Sequence, residues 1–184
     1  MQRPSKDFSG VEIYEYTENT DERGSFNKIF ESNVLPKKDT LAEFTSLAIS
    51  SNLKLGTIRG MHLQLQPFEE TKLITCLQGS ICDVFVDLRR ESKTFGDWGS
   101  VELSKDNRYV LYLPEGFAHG FQTTMDNTDL LYAINGQYST EYSRSILYSD
   151  EQLGIKWPLP VSDISLRDKS AKSLSDIVRE IQFF

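Results

Sequence analysis

The sequence predicts an all-β fold, a double-sheet jelly roll of sandwich or barrel form, with a few short helices. Two observations carry this. Runs of alternating apolar and polar residues recur at short intervals through the middle of the chain, and compact turn-forming tripeptides separate them. That spacing leaves no room for the helices of βαβ units and matches a sandwich or jelly roll. The first clear strand spans residues 72–77 and runs into the turn Gln78-Gly79-Ser80. A second follows over 81–88, with Val84, Val86 and Leu88 alternating. Cys76 and Cys82 flank the turn, so they are expected on paired strands, as plain buried thiols. Further strands are read over 98–103, 109–113, 121–124 and 129–134, with Lys105-Asp106-Asn107 and Met125-Asp126-Asn127 as turns. Residues 40–46 fit either a short helix or the lead-in to a strand. Leu174, Ile177, Val178 and Ile181 recur at i, i+3, i+4 and i+7, which predicts an amphipathic helix in a tail over 169–184.

At 184 residues the chain is expected to form one domain (1–184) with a sizeable core. Its net charge of −7 argues against broad binding to nucleic acid or to an anionic membrane, both of which need a basic field. A few local Arg and Lys still suffice for an anionic ligand. The first ten residues lack the apolar stretch of a signal peptide, and no window approaches membrane-spanning length, so a cytoplasmic location is expected. One pair of cysteines is too few for a secreted disulfide framework, and nothing has zinc-ligand spacing.

The chain holds two histidines, each in a glycine-flanked motif: Arg59-Gly60-Met61-His62-Leu63-Gln64 and Pro114-Glu115-Gly116-Phe117-Ala118-His119-Gly120-Phe121. Histidine is the usual proton carrier or metal ligand near neutral pH. In a jelly roll, residues on adjacent strands point into a common cavity. A cavity holding His62, Lys72, His119 and Tyr132 contains a base, a cation and a phenolic acid, which suits proton abstraction beside a carbonyl. Such a C–H is acidic only if a nearby cation stabilises the enolate, and an acid on the other face can return the proton with inversion. Taken alone, Tyr132 reads as a core aromatic and Asp168 as a turn carboxylate. A metal site is disfavoured, because Gln64 stands two residues after His62 and no third soft ligand accompanies the two histidines.

These motifs resemble the nucleotide-sugar epimerases typified by dTDP-4-dehydrorhamnose 3,5-epimerase. The likeness runs from about Tyr14 to Asp168. It includes Asp21-Glu22-Arg23-Gly24, Lys72-Leu73, Val86-Asp87-Leu88-Arg89-Arg90, Thr94-Phe95-Gly96, Leu131-Tyr132, Gly154-Ile155-Lys156-Trp157-Pro158 and Ser165-Leu166-Arg167-Asp168. The resemblance implies a cupin-type jelly roll, without metal or other cofactor, working as a homodimer on a nucleoside-diphosphate 4-keto-6-deoxy sugar. By position, His62 matches the general base and Asp168 its paired carboxylate. Tyr132 matches the general acid, and Lys72 the cation beside the sugar's C4 oxygen. Arg59 and His119 match substrate contacts, Arg59 toward the diphosphate, with Gln64 and Arg167 beside them. Tyr138 matches an aromatic near the nucleotide. Arg23 and Phe26 match an N-terminal strand region, about residues 10–30, exchanged with the dimer partner.

The chain departs from the family pattern mainly around the expected nucleotide pocket. Lys28 and Ser143 stand where glutamates are usual, Thr140 where Pro is, and Arg167 replaces a lysine. An ungapped count back from Arg59 puts Leu47 and Ile49 at polar positions, and Glu70-Thr71 replaces Gln-Gly before Lys72. Unpaired polar atoms on a buried base would cost about 1–3 kcal/mol each, so these changes also fit a nucleotide different from dTDP. The same residues would serve an epimerase acting at C3 or C5 alone. Less well supported are a sugar 3,4-ketoisomerase, for which a second His is expected at position 64, and a non-catalytic sugar-nucleotide-binding module.

Overall fold

The computed structural model describes residues 6–31 and 44–181. Two antiparallel sheets face each other. One has the order β1 (Glu12–Glu15), β9 (Tyr109–Leu113), β6 (Thr71–Gln78), β11 (Thr128–Asn135) and β4 (Ser46–Asn52). The other runs β12 (Ser143–Ser145), β5 (Thr57–Gln64), β10 (Phe117–Thr123), β7 (Ser80–Asp87) and β8 (Trp98–Ser104). Here β13 (Asp163–Ile164) pairs in parallel with the start of β5. A separate hairpin joins β2 (Glu18–Asp21) to β3 (Gly24–Asn27).

Strand parity sorts the apolar residues into three layers. Between the sheets lie Ile74, Cys76, Leu111, Leu113 and Leu130 from one side and Phe85, Leu103, Phe117 and Phe121 from the other. Outside the second sheet, Met61, Leu63, Val84, Val86 and Ala118 pack under Leu174 and Ile177 of the C-terminal helix α2 (Leu174–Ile181). Outside the first, Leu73, Val110 and Ala133 are covered by Tyr14, Tyr16, Ile29, Phe30 and Phe44.

The structure corrects several expectations. The turn at Gly79 does not make a hairpin: β6 pairs with β9 and β11, and β7 pairs with β8 and β10. A tight turn between alternating runs has the same sequence signature whether the chain doubles back or crosses the sandwich. Cys76 and Cys82 are free thiols on different sheets, Cys76 buried and Cys82 half-buried. The strand read over 121–124 begins at Phe117, so Gly120 is interior to it. Of the segment 40–46, residues 40–43 lie outside the described residues, and Ser46 opens strand β4. Among the described residues, no helix is long and apolar enough to cross a membrane.

Candidate functional site

The site starts from an irregularity in the β5–β10 pairing. His119 faces His62 and Phe121 faces Arg59, so three steps on β5 match two on β10. This bulge lets Arg59 and His62 both point between the sheets, although simple alternation would separate them. It depends on two glycines. A Cβ at Gly60 would stand 2.5 Å from the Gly120 Cα, and one at Gly120 would stand 2.7 Å from the Met61 Sδ.

His62 is paired from behind. The pairing of β13 with β5 draws the segment 163–169 alongside, and α1 (Leu166–Lys169) starts at Ser165, whose side chain caps the Asp168 N–H. Asp168 is buried, with one carboxylate oxygen 2.6 Å from His62 Nε2 and the other accepting from the Gly60 N–H at 3.3 Å. Burial opposes its charge. The hydrogen bonds from His62 and Gly60 outweigh that and hold the carboxyl below the usual range. The His62 side chain stays 41% exposed, open to a cavity of about 360 Å³ that Arg59, Ser165, Arg167 and Asp168 also line.

Side chains of the first sheet turn inward from the other side of the sandwich. Tyr132 on β11 lies with its ring centroid 6.0 Å from that of His119. Burial first, and then the Asp83 carboxylate, push its phenol well above the ordinary tyrosine value, so it stays protonated. Lys72 on β6 is buried, with Nζ 3.0 Å from Glu70 Oε2. His119 is buried and its Nε2 lies 2.8 Å from Asp83 Oδ2. Burial raises the Asp83 carboxyl, against the pull of His119 and Lys72. Arg59 is steadied by β4, its Nε donating to Asn52 Oδ1 at 2.8 Å.

His62, Asp168 and Arg59 line one cavity. Tyr132, His119 and Lys72 gather around Asp83, with Arg59 also acting on Tyr132. Gln64 reaches Lys72 through Glu70. Arg167 and Tyr138 form a neighbouring group: Arg167 donates to the Ser143 Oγ at 2.8 Å, and hydrogen bonding to Ser143, then to Arg167, lowers the Tyr138 phenol. Arg23 and Phe26 stand apart on the β2–β3 hairpin, where Arg23 pairs with Asp21 at 2.6 Å and Phe26 is 73% exposed. Lys28 pairs with Glu31 at 2.7 Å. Leu47 and Ile49 turn away from the space between the sheets. They pair with Ala133 and Leu131, and Ala133 belongs to the outer layer, whereas Ala48 pairs with inward-facing Tyr132. Ser46, Ala48 and Ser50 share the inward side of β4, and Leu47 and Ile49 are exposed on the other.

Sequence reasoning missed Asp83, Asn52 and the role of Glu70. Asp83 had a signal: a carboxylate in an apolar strand, at the inward parity of Ile81 and Phe85. Among the described residues, no group of three or more His, Cys, Asp or Glu is placed to hold a metal ion.

The model of the dTDP-4-dehydrorhamnose 3,5-epimerase family matches residues 5–176. The chain belongs to this family. It is an isomerase of the epimerase class, built on the family's cupin-type jelly roll. A dTDP-4-dehydrorhamnose 3,5-epimerase of Shigella flexneri is 41% identical over 161 residues, 85% of this chain and 86% of the relative. The crystal structure of a dTDP-6-deoxy-D-glucose-3,5-epimerase from Legionella pneumophila, in complex with dTDP-4-keto-L-rhamnose, is 34% identical. It superposes with a TM-score of 0.88 over 98% of this chain and 96% of that one. A 4-keto-6-deoxy sugar epimerase from the novobiocin gene cluster of Streptomyces spheroides is 28% identical, with a TM-score of 0.89 over 100% and 92% of the two chains.

Proposed function

We propose that this epimerase inverts C3 and C5 of a dTDP-4-keto-6-deoxy sugar, with His62 as base, Tyr132 as acid and Lys72 as the cation at O4. One observation carries the residue roles: His62 and Tyr132 both turn inward from opposite sheets, the first backed by a carboxylate and the second kept protonated by burial. A sugar between the sheets turns one face to each. His62 takes the proton from a carbon beside the ketone, and Asp168 stabilises the imidazolium that forms. The electron pair moves onto O4, where the Lys72 ammonium meets it. Tyr132 returns a proton from the other face, and the centre inverts. A ring flip brings the second flanking carbon to the same pair.

Arg59 suits the diphosphate, because its planar fork matches two phosphate oxygens. Holding that group far from the reacting carbon anchors the sugar while it rearranges. The relatives' names support thymidine diphosphate. Tyr138, Arg167 and His119 complete the substrate contacts, and the hairpin bearing Arg23 and Phe26 reaches a partner's site in a homodimer. The free thiols fit a reducing cytoplasm.

Incubation with dTDP-4-keto-6-deoxyglucose in D2O, read by NMR, tests the reaction. Deuterium at both C3 and C5 is expected. Deuterium at one carbon would make the protein a single-centre epimerase, and none at either, with the ligand bound, would leave only a binding module. Binding measured across dTDP, UDP, CDP and GDP should favour dTDP.

A further inference from the structure

Asn52 closes strand β4 and is the one buried residue of that edge strand, 4% exposed. Its amide fits only one way round. Nδ2 donates to the carbonyls of Ser50 and Thr128, at 3.1 Å each, and Oδ1 accepts from the Arg59 Nε at 2.8 Å. A flipped amide would set oxygen against two carbonyls and a donor against a donor. The Nδ2 bonds tie the end of β4 to the start of β11. The Oδ1 bond does something else, for it ties down a side chain that lines the His62 cavity.

Arg59 meets β4 through one edge of its guanidinium, with Nε on Asn52 and Nη2 on the Ser51 carbonyl at 3.4 Å. A guanidinium has five N–H groups, and this edge uses two of them. The end of the fork, formed by Nη1 and the second Nη2 hydrogen, keeps two parallel N–H groups spaced for two phosphate oxygens. The tether is also neutral. Arg89, Arg108 and Arg144 are paired with the carboxylates of Asp87, Glu15 and Glu180, which offset their charge. An amide and a carbonyl orient Arg59 and leave its charge whole.

We infer that Asn52 is a positioning residue for Arg59, holding the guanidinium in advance with the end of its fork open to the diphosphate. The inference rests on the diphosphate contact proposed above. A free arginine loses rotamer freedom when it clasps an anion. Arg59 has already lost that freedom in the folded chain, so binding is not weakened by it.

The test measures dTDP and thymidine affinity by NMR titration, with KM, kcat and melting temperature, for wild type, Asn52→Ala, Arg59→Ala and the double variant. Asn52→Ala should weaken dTDP binding by about 3- to 10-fold, the effect of immobilising one long side chain, and should raise KM more than it lowers kcat. Thymidine, which lacks the phosphates, should bind as it does to wild type. In the Arg59→Ala background, Asn52→Ala should change dTDP affinity no further. A lower melting temperature with dTDP affinity kept would mark a merely structural residue and overturn the inference. So would an equal loss of dTDP affinity with and without Arg59. Arg59→Lys leaves Asn52 in place, keeps the charge and removes the tethered fork, so it should weaken dTDP binding by a similar factor. Wild-type affinity in Arg59→Lys would overturn the inference even if Asn52→Ala does not fold. If Arg59→Ala binds dTDP as wild type does, the diphosphate contact itself fails and takes this inference with it.

Discussion

The two histidines carry the same kind of partner in different surroundings. Each has a carboxylate on Nε2, but His62 is 41% exposed toward the cavity while the side chain of His119 is 6% exposed. A base must reach its proton, so exposure supports His62 rather than His119 as the proposed base. Asp168→Asn should therefore keep the fold and lower the wash-in rate by about 100-fold or more, since a positioned base contributes that much. The same carboxylate has a pH signature. Its folded pKa lies below the unfolded one, so its stability contribution is present above the ordinary carboxylate value of about 4 and is lost as pH falls through the lower folded value. Acid unfolding followed by circular dichroism should have a shallower acid limb in Asp168→Asn. At this scale the sequence was informative through residue type and order. His62, Lys72, Tyr132 and Asp168 were legible only together, through the family motifs, because each alone has a bland structural reading.

At the scale of elements, alternation was legible and partnership was not. The periodicity of Leu174, Ile177 and Val178 foretold α2, and the strand over 109–113 matches β9. Which sheet a strand joins depends on long-range pairing, so the Gly79 turn reads as a hairpin that the fold does not make. Likewise, the side of β4 that Leu47 and Ile49 take is fixed by their pairing with Ala133 and Leu131. Polar clasps fix the connections instead. Asp87 closes β7 and is fully buried, receiving Arg89, Ser92 and Thr94. Burial opposes its charge, and these donors outweigh it and hold the carboxyl down. Asp87→Ala strands a half-buried guanidinium and should cost about 3 kcal/mol in chemical denaturation. Gly60→Ala should also destabilise, because a Cβ there meets the Gly120 backbone.

For the whole molecule, the sandwich sets His62 and Tyr132 on opposite sheets, and the bulge on β5 lets Arg59 share His62's strand and side. The β2–β3 hairpin lies outside both sheets, with Arg23 85% exposed at its side chain. If it completes a partner's nucleotide site, Arg23→Ala and Phe26→Ala should weaken dTDP binding by about tenfold, around 1.4 kcal/mol, with kcat largely kept. Light scattering should give a dimer. The central claim is that His62 carries the proton across this cavity. The most direct measurement is deuterium wash-in to dTDP-4-keto-6-deoxyglucose by His62→Ala and Tyr132→Phe, with dTDP binding confirmed for both. The account predicts no wash-in for His62→Ala, and continued wash-in with an altered stereochemical outcome for Tyr132→Phe. Wash-in by His62→Ala at the wild-type rate would contradict it.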